Sequence, residues 1–249
     1  MIKILHVYHD LMNLYGDWAN AEVLALELKT RGYEASVDKK SVGDKLLFEN
    51  YDAVYIGSAT ERSLIACIYD IMHYKAQLLK RIEDGMQVLA TGNSHELFGK
   101  AVTDVSGKRH ETLGLLDFET VQGSARVTGD CVCKASFLGD RLVGFINRAS
   151  IGQSGDIDRP FTDELGPGAN EKSNAEGIKY KNLLGTYLTG PVLIRNPPLL
   201  RYIADSIIGC EAEKEDVRAD LSGNKSFFIF QEKAYAMALS ELTARIGRT

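Results

Sequence analysis

Short apolar segments recur along the first hundred residues. They cover residues 2–8 (IKILHVY), 51–58 (YDAVYIGS) and 86–92 (MQVLATG), and a shorter segment at 34–38 (EASVD) also has strand character. Continuous apolar runs of this length are typical of strands that are buried on both faces of a parallel sheet. The pattern therefore predicts strands at these positions.

Amphipathic segments with helical spacing separate these strands. Residues 20–32 place apolar side chains on one helical face and end at Gly32, and residues 63–84 have the same period and precede Gly85. Glycine is favoured after a helix because it adopts the left-handed conformation without strain. Strands that alternate with helices form right-handed βαβ units. We therefore expect the α/β class, with a doubly wound, mostly parallel sheet and helices on both faces.

The pattern changes after about residue 103. Short β-rich segments separated by Gly and Asp continue to about residue 147, and they predict antiparallel strands added to the main sheet. Residues 149–177 are polar and lack a sustained period, which predicts a long loop of the kind that serves as a lid or mobile segment. A strand, a Thr-Gly-Pro turn and a helix beginning near Pro197 or Pro198 follow. We expect a single domain over residues 1–249 that ends in a helical C-terminal tail.

Composition excludes several classes of function. The chain has 249 residues, of which 45% are hydrophobic and 25% charged, and its net charge is −5. A nucleic-acid partner is not expected, because nucleic-acid-binding surfaces are usually basic. No apolar run approaches the ~20 residues that span a bilayer. The N-terminus lacks the pattern of a signal peptide. We therefore expect a cytoplasmic protein without a membrane span.

The four cysteines do not indicate a disulfide framework or a cofactor. Cys67 lies on the apolar stripe of a predicted helix and is expected in the core. Cys131 and Cys133 lie two residues apart on a predicted strand and therefore face the same side. A metal pair is conceivable there, but no second Cys/His pair has the spacing of zinc ligands. We expect no metal site and no cofactor.

Two further motifs are weak. The segment GPGANEKS (166–173) resembles a phosphate-binding loop, but Glu171 replaces its second glycine and no predicted strand precedes it. His6 and His9 would point to opposite faces if the first strand continued through both, which disfavours a shared ligand role. We therefore interpret the first as a chance match and the histidines as surface or loop-end residues.

Three glycine-marked corners each follow a predicted strand. They are YIGSATERS, LATGNSHELFG and LLGTYLTGPVLIRNP. In a doubly wound sheet, ligands bind outside the carboxyl ends of the strands, so the three corners are expected to meet at one crevice. The alternative interpretation is that Gly and Thr merely form the turns.

These corners and their flanking segments resemble a known family. The segments DLMNLYGDWAN, IEDGMQVLATGNSHELFG and EGIKYKNLLGTYLTGPVLIRNP, with shorter ones between, are similar in order and spacing to class I glutamine amidotransferase domains of the cobyric acid synthase type. Within that type, the chain resembles the glutaminase subunit of bacterial lipid II isoglutaminyl synthase. The resemblance covers nearly the whole chain and implies a flavodoxin-like fold and a partner of the Mur-ligase type.

The resemblance also implies positions for the catalytic residues, and this chain departs from the family at both. The family has its nucleophilic cysteine at the first position of a Cys-Gly-Gly-Tyr-Gln elbow. Its base histidine stands in a Gly-Thr-Tyr-Leu-His-Gly-Pro segment, where this chain has Thr189. The residues that align with the elbow are Gly92, Asn93, Ser94, His95 and Glu96.

Other family positions are retained in part. The glycine-rich strand end that binds the oxyanion aligns with residues 57–59, which include Ser58, and the arginine that holds the substrate glutamine aligns with Arg126. The resemblance thus makes Arg126, Ser58, Asn93 and His95 the candidates for binding a glutamine-like molecule.

The two substitutions remove the usual chemistry. Amide hydrolysis by this route needs a thiolate to attack the carbonyl carbon and a base to take and return a proton. Gly92 offers no attacking atom, and the hydroxyl of Thr189 titrates far above neutral pH. We therefore expect a non-catalytic subunit or ligand-binding relative.

Two alternatives stay open at this level. The first is an active glutamine-hydrolysing amidotransferase subunit, in peptidoglycan precursor or cobyric acid amidation, that uses a shifted Ser94–His95 pair. The second is a module that senses an amino acid or peptide through Arg126 and the backbone amides near Ser58.

Overall fold

The computed structural model describes residues 1–155, 157–168, 173–215 and 228–246. The strands in this part are β1 (Ile2–Val7), β2 (Ala35–Lys40), β3 (Ala53–Ile56), β4 (Gln87–Thr91), β5 (Ala101–Thr103), β6 (Arg109–Glu111), β7 (Glu119–Ala135), β8 (Arg141–Ser154), β9 (Phe161–Leu165), β10 (Ala175–Glu176), β11 (Ile178–Tyr180) and β12 (Leu183–Thr186). The α-helices are α1 (Trp18–Thr30), α2 (Glu61–Ile71), α3 (Lys75–Glu83), α4 (Val192–Arg195), α5 (Pro197–Glu215) and α6 (Ile229–Thr243). Short 3₁₀ helices cover Phe48–Asn50, Met72–Tyr74 and Gly92–Phe98.

A parallel sheet forms the centre of the molecule. Its strand order is β11-β12-β4-β3-β1-β2, and every neighbouring pair is parallel except β11 with β12. The predicted α/β class and parallel sheet are confirmed. The early apolar runs predicted it because strands covered on both faces carry apolar side chains at nearly every position.

Helices cover both faces of this sheet, as predicted. Alternate residues of each strand face opposite sides, so that Ile4 and Tyr55 belong to one core and Leu5 and Ile56 to the other. The first core packs against α1, α4 and α5, and the second against α2 and α3. Cys67 lies in the second core with no exposed surface, which confirms it as a core residue.

The antiparallel strands form a second sheet rather than extending the first. Its order is β10-β9-β7-β5-β6, with β8 paired to β7. The buried face of this sheet, which includes Leu142 and Ile146, shares a core with Leu188 and Leu193 from the last part of the first sheet and α4. The two sheets therefore meet at the carboxyl end of β12.

The predicted helix over residues 63–84 is divided into two. The 3₁₀ turn Met72–Tyr74 separates α2 from α3. Ile71 and Leu78 remain seven residues apart on the buried side, so the apolar period continues in phase across the turn. Periodicity alone could not reveal the break for this reason.

The prediction of a loop over residues 149–177 is wrong for nearly half of that segment. β8 continues to Ser154, and β9 and β10 lie within it. Its strands carry buried polar residues such as Asp163 and Glu176, which pair with other polar groups and leave no apolar alternation to read. Residues 156 and 169–172 lie outside the described residues.

The segment that resembles a phosphate-binding loop directly follows a strand, contrary to expectation. β9 ends at Leu165, and Gly168 then donates its N–H to Asp163 Oδ2 at 2.8 Å. That amide is therefore bound within the protein. Residues 169–172 of the motif are among those not described.

The C-terminal part begins as predicted, with α5 starting at Pro197. No helix in the described ranges combines the length and apolar character needed to cross a membrane.

Asn196 connects the turn between α4 and α5 to the second sheet through hydrogen bonds of its side chain. Its side chain is fully buried, and its Oδ1 accepts the N–H of Val143 at 2.7 Å. Its Nδ2 donates to the carbonyls of Val143 and Val192, each at 2.9 Å. One side chain thus satisfies both backbone groups of Val143 on β8.

Replacement of this residue tests its contribution. We expect Asn196→Ala to lower the free energy of unfolding by about 2–4 kcal/mol, because it leaves the N–H and C=O of Val143 buried without partners. Urea denaturation measures the change. Asn50→Ala, at an exposed position, is the control and should shift the value by less than about 0.5 kcal/mol. Equal effects of the two variants would contradict the assigned role.

Candidate functional site

The three predicted corners meet, as expected, at the carboxyl ends of β3, β4 and β12. The N–H of Gly92 donates to the carbonyl of Leu188 at 3.1 Å, which joins the second corner to the third. The side chain of Asn93 joins it to the first, since its Oδ1 accepts Ala59 N–H at 2.9 Å and its Nδ2 donates to Ala59 O at 3.0 Å. The crevice that the sequence predicts is thus a closely bonded junction.

The corner after β4 retains the conformation of an elbow. Thr91 is extended, Gly92 has φ +62°, and a 3₁₀ helix begins at Gly92. A positive φ of this kind favours glycine, because other residues incur a steric cost there. The backbone at Gly92 therefore has the conformation of an elbow, and glycine supplies no side chain there.

The side chain of Ser58 fills the space beside Gly92. A Cβ atom built on Gly92 would lie 2.2 Å from Ser58 Oγ and 2.8 Å from Ser58 Cβ. Both distances are far below van der Waals contact, and Ser58 is only 2% exposed. A side chain at position 92 and the serine at position 58 therefore exclude each other in this arrangement.

The backbone donors at the end of β3 are already bonded within the protein. Ser58 N–H donates to Asp17 Oδ2 at 2.8 Å, and Ala59 N–H donates to Asn93 Oδ1 at 2.9 Å. Asp17 is fully buried, and this desolvation raises its pKa to about 6. An oxyanion at this position would have to displace one of these side chains from its amide.

Thr189, at the base position, is bonded to the second sheet. Its N–H and its hydroxyl both donate to the carbonyl of Phe145, each at 2.8 Å. The residue is 4% exposed. The hydroxyl proton is therefore held by a carbonyl that has no capacity to take it up, so no proton shuttle arises here.

Ser94 and His95 do not form a catalytic pair. Ser94 Oγ lies 2.9 Å from the carbonyl of Ile56 and 2.8 Å from that of Thr91. His95 Nδ1 lies 2.8 Å from the carbonyl of Gly92, which requires the proton on Nδ1. The two side chains thus bond to separate backbone groups.

His95 is held as a neutral core residue. Its Nε2 has no hydrogen-bond partner among the described residues, and its ring centroid lies 4.2 Å from that of Tyr187 in an edge-on arrangement. Complete burial lowers its pKa to about 3. The ring packs beneath the elbow.

Arg126 lies at the exposed rim of the junction. Its Nη1 is 2.9 Å from Glu61 Oε1, and its Nε donates to Asn147 Oδ1 at 2.5 Å. The Arg126 and Glu61 side chains are 42% and 30% exposed. The guanidinium that the resemblance assigns to a substrate carboxylate is therefore paired with a carboxylate of this chain.

Glu96 is a site residue whose role the sequence did not reveal. It is fully buried, and its oxygens accept hydrogen bonds from Thr120 Oγ1 at 3.0 Å, Tyr187 OH at 3.1 Å and the hydroxyl of Ser150. These partners lie 24, 91 and 54 residues away, so no local motif joins them. Burial raises the pKa of Glu96 to about 7, against the opposing effect of these bonds. Glu96 thus connects the elbow to the second sheet.

The first strand contains His6 but does not extend to His9. β1 stops at Val7, and the rings of His6 and His9 lie 6.2 Å apart, centroid to centroid. His6 is fully buried against Tyr55, so its assignment as a surface residue is wrong. Burial lowers the pKa of His6 to about 4.

Cys131 and Cys133 have a third potential metal ligand beside them. Their sulfur atoms and a carboxylate oxygen of Asp163 all lie within 4.8 Å of one another. No local pattern pointed to this third donor, because Asp163 belongs to another strand.

The exclusion between positions 58 and 92 is open to a direct test. We expect Gly92→Cys to lower the free energy of unfolding by about 2–4 kcal/mol, from overpacking against Ser58 and from the positive φ. Adding Ser58→Gly should recover about 1–3 kcal/mol of that loss, measured as the coupling energy of a double-mutant cycle in urea.

Gly107→Cys is the matched control for this cycle. Gly107 has φ +85° but nothing within 4 Å of an added Cβ, so its variant incurs the conformational cost without the clash. If Gly92→Cys were no more destabilising than Gly107→Cys, the volume at the elbow would be free.

The buried carboxyl group of Glu96 predicts a specific pH dependence. Its pKa is about 7 in the folded protein against 4.5 as the ordinary value, so the folded state binds this proton more tightly. Its contribution to stability is full below pH 4.5 and is lost as pH rises to about 7. Urea titrations measure the free energy of unfolding of Glu96→Gln and of the native protein at each pH. The value for Glu96→Gln minus the native value should rise between pH 4.5 and about 7, by at most about 3 kcal/mol.

Only the difference between the two proteins isolates this effect. His95 and His6 have lowered pKa values and lose stability in the opposite direction, as pH falls below about 6.5. The exposed Asn50→Ala, which removes no ionisable group, should give a flat difference curve. A flat curve for Glu96→Gln as well would contradict the burial of an ionisable group at this junction.

The chain is similar to known proteins over most of its length. Residues 3–197 match the family model of the CobB/CobQ-like glutamine amidotransferase domain. Over 215 residues the chain is 32% identical to the lipid II isoglutaminyl synthase (glutamine-hydrolyzing) subunit GatD of Staphylococcus aureus (strain N315), covering 84% of this chain and 85% of that protein. GatD of Streptococcus pneumoniae (strain ATCC BAA-255 / R6) is 32% identical over 202 residues, covering 80% of this chain and 77% of that protein.

Solved structures of the same fold exist. The crystal structure of a glutamine amidotransferase from Thermotoga maritima superimposes with a TM-score of 0.51 and 17% identity, covering 100% of this chain and 99% of that chain. At this identity the likeness concerns the fold alone. The family model and the two GatD relatives establish that this chain belongs to the family of CobB/CobQ-like glutamine amidotransferase domains.

Proposed function

We propose that this chain is a non-catalytic glutamine amidotransferase-like protein that serves as a binding subunit. The observation that supports this most directly is the position of Ser58 Oγ, 2.2 Å from where a Cβ on Gly92 would lie. The loss of the nucleophile is thus accompanied by occupation of its volume. A single reversion at position 92 would not restore the site.

The surrounding contacts support the same proposal. The amides of Ser58 and Ala59 are bonded to side chains of this chain, and the hydroxyl of Thr189 is bonded to Phe145. Attack on an amide requires a nucleophile, a base and donors for the oxyanion, and each of these positions here has a structural use.

The two alternatives have less support. A shifted Ser94–His95 nucleophile would need a hydrogen bond between the two side chains, and both are bonded to backbone carbonyls instead. A glutamine sensor would need the guanidinium of Arg126, which is paired with Glu61. Ammonia release by the purified chain would favour the first alternative, and a rise in melting temperature on addition of glutamine would favour the second.

The partner in this proposal is a Mur-ligase-type protein. Both GatD relatives are subunits of a glutamine-hydrolysing lipid II isoglutaminyl synthase. This chain matches about four-fifths of each relative, and its resemblance to that glutaminase subunit implies a ligase that receives ammonia. A subunit that keeps the fold but lacks the chemistry would bind such a ligase without supplying ammonia.

An assay of glutamine hydrolysis distinguishes a catalytically inactive chain from an active glutaminase. We expect the purified chain, alone and with the Mur-ligase-type protein of the same source, to release no ammonia from glutamine above the enzyme-free background. The ligase should co-elute with the chain in size-exclusion chromatography. Ammonia release that is abolished by Ser94→Ala or His95→Ala would overturn the proposal, and failure to co-elute would remove the subunit role.

Variants that restore a cysteine at position 92 test whether Ser58 blocks a reactive thiol there. We expect a triple variant with Gly92→Cys, Thr189→His and Ser58→Gly to react with a glutamine analogue that alkylates active-site thiols, followed by mass spectrometry. The matched double variant that keeps Ser58 should react at least about tenfold more slowly, because its thiol has no room at the elbow. Equal labelling of the two would show that Ser58 does not block the position.

A further inference from the structure

Two cysteines and an aspartate from neighbouring strands meet inside the second sheet. Cys133 on β7 lies directly opposite Asp163 on β9. Cys131 lies two residues from Cys133 on the same strand and therefore on the same face. All three are buried, with 0%, 0% and 5% of their surfaces exposed. Sheet register alone thus brings three donor side chains together.

The distances among these donors fit a tetrahedral metal ion. The two sulfur atoms and a carboxylate oxygen all lie within 4.8 Å of one another, and Cys131 Sγ is 3.1 Å from Asp163 Oδ1. Zinc–sulfur bonds of about 2.3 Å place two sulfur ligands about 3.8 Å apart in a tetrahedron. Small side-chain rotations would therefore bring all three within bonding distance of one ion.

The chain closes tightly over this cluster. Gly166, with φ +143°, passes so near that a Cβ on it would lie 2.7 Å from Asp163 Oδ2 and 3.2 Å from Cys131 Sγ. Gly168 N–H donates to Asp163 Oδ2 at 2.8 Å. A backbone donor on one carboxylate oxygen fixes the orientation of the group and leaves the other oxygen for a metal, as in the supporting shell of known metal sites.

We propose that Cys131, Cys133 and Asp163 form a binding site for a zinc ion. Thiolate and carboxylate ligands in tetrahedral arrangement suit zinc better than the hard cations magnesium and calcium, which prefer oxygen ligands alone. On binding, the two thiol protons leave to solvent and their sulfur atoms bond to the ion, while the carboxylate binds in its charged form.

The site would stabilise the second sheet. An ion bound there joins β7 to β9 and fixes the turn at residues 166–168 that follows β9. This structural role does not involve the corner at Gly92. The test of the zinc site therefore does not depend on whether the chain hydrolyses glutamine.

Metal analysis is the primary test. The full chain, produced with zinc in the medium and purified without chelator, should contain about one zinc ion per chain by mass spectrometry of the metal. Cys133→Ser and Asp163→Asn should each lower zinc affinity at least about tenfold in a competition titration with a coloured chelator. Cys67→Ser, which alters a buried thiol of the other core, should retain the native affinity.

Cobalt substitution identifies the ligands in the folded protein. The native chain and Cys67→Ser, loaded with cobalt in place of zinc, should show thiolate-to-cobalt charge-transfer absorption. Cys131→Ser and Cys133→Ser should lose part of it, with circular dichroism to confirm that each variant is folded. Removal of zinc with a chelator should lower the melting temperature of the native chain by roughly 5–10 °C.

Two results would overturn the proposal. One is a native chain that contains no zinc and whose melting temperature does not respond to added zinc. The other is zinc retained at native affinity by folded Cys133→Ser and Asp163→Asn, which would place the metal elsewhere.

Discussion

The space between the carboxyl ends of β3 and β4 has room for only one side chain. The structure of the three corners depends on which residue supplies that side chain. Paired strands lie about 4.8 Å apart, so side chains that point from neighbouring strand ends toward each other compete for space. Here Ser58 occupies that space, and a Cβ at Gly92 would overlap its hydroxyl. Glycine at the elbow is thus required twice, by the positive φ of the turn and by the serine beside it.

The groups around this position are hydrogen-bonded within the protein. The amides of Ser58 and Ala59 bond to Asp17 and Asn93, and the hydroxyl of Thr189 bonds to the neighbouring sheet. Together with the bonds of Gly92 and Asn93, these contacts hold the three corners together. The junction therefore combines the backbone of an amidotransferase elbow with the bonding of a structural core, which supports a role in binding rather than turnover.

Buried polar side chains connect the two sheets on either side of this junction. Glu96 bonds the elbow to β7 and β8, and Asn196 bonds the start of α5 to β8. Burying a polar group is unfavourable unless its hydrogen bonds are made, so such residues specify one relative placement of the elements they join. The same principle applies in the second sheet, where Asp163 holds both Cys131 and Gly168.

The sequence by itself determined the parallel sheet, the helices on its two faces and the positions of the corners. These features follow from continuous apolar runs, helical spacing and terminal glycines, all of which are local signals. The resemblance carried by the corner motifs also predicts that Gly92 and Thr189 stand at substituted catalytic positions, and this stays a prediction. Local signals failed where polar side chains are buried, which is why residues 149–177 looked like a loop although they contain strands.

Only the tertiary structure decided what fills the corner and what meets inside the second sheet. Ser58 and Gly92 are 34 residues apart, and Cys133 and Asp163 are 30 apart, as their numbers show. Whether such pairs touch depends on strand order and register, which arise from the packing of the whole chain and leave no period in the sequence. The sequence thus determined the corner and the glycine at position 92, and the fold determined that Ser58 fills the space beside it.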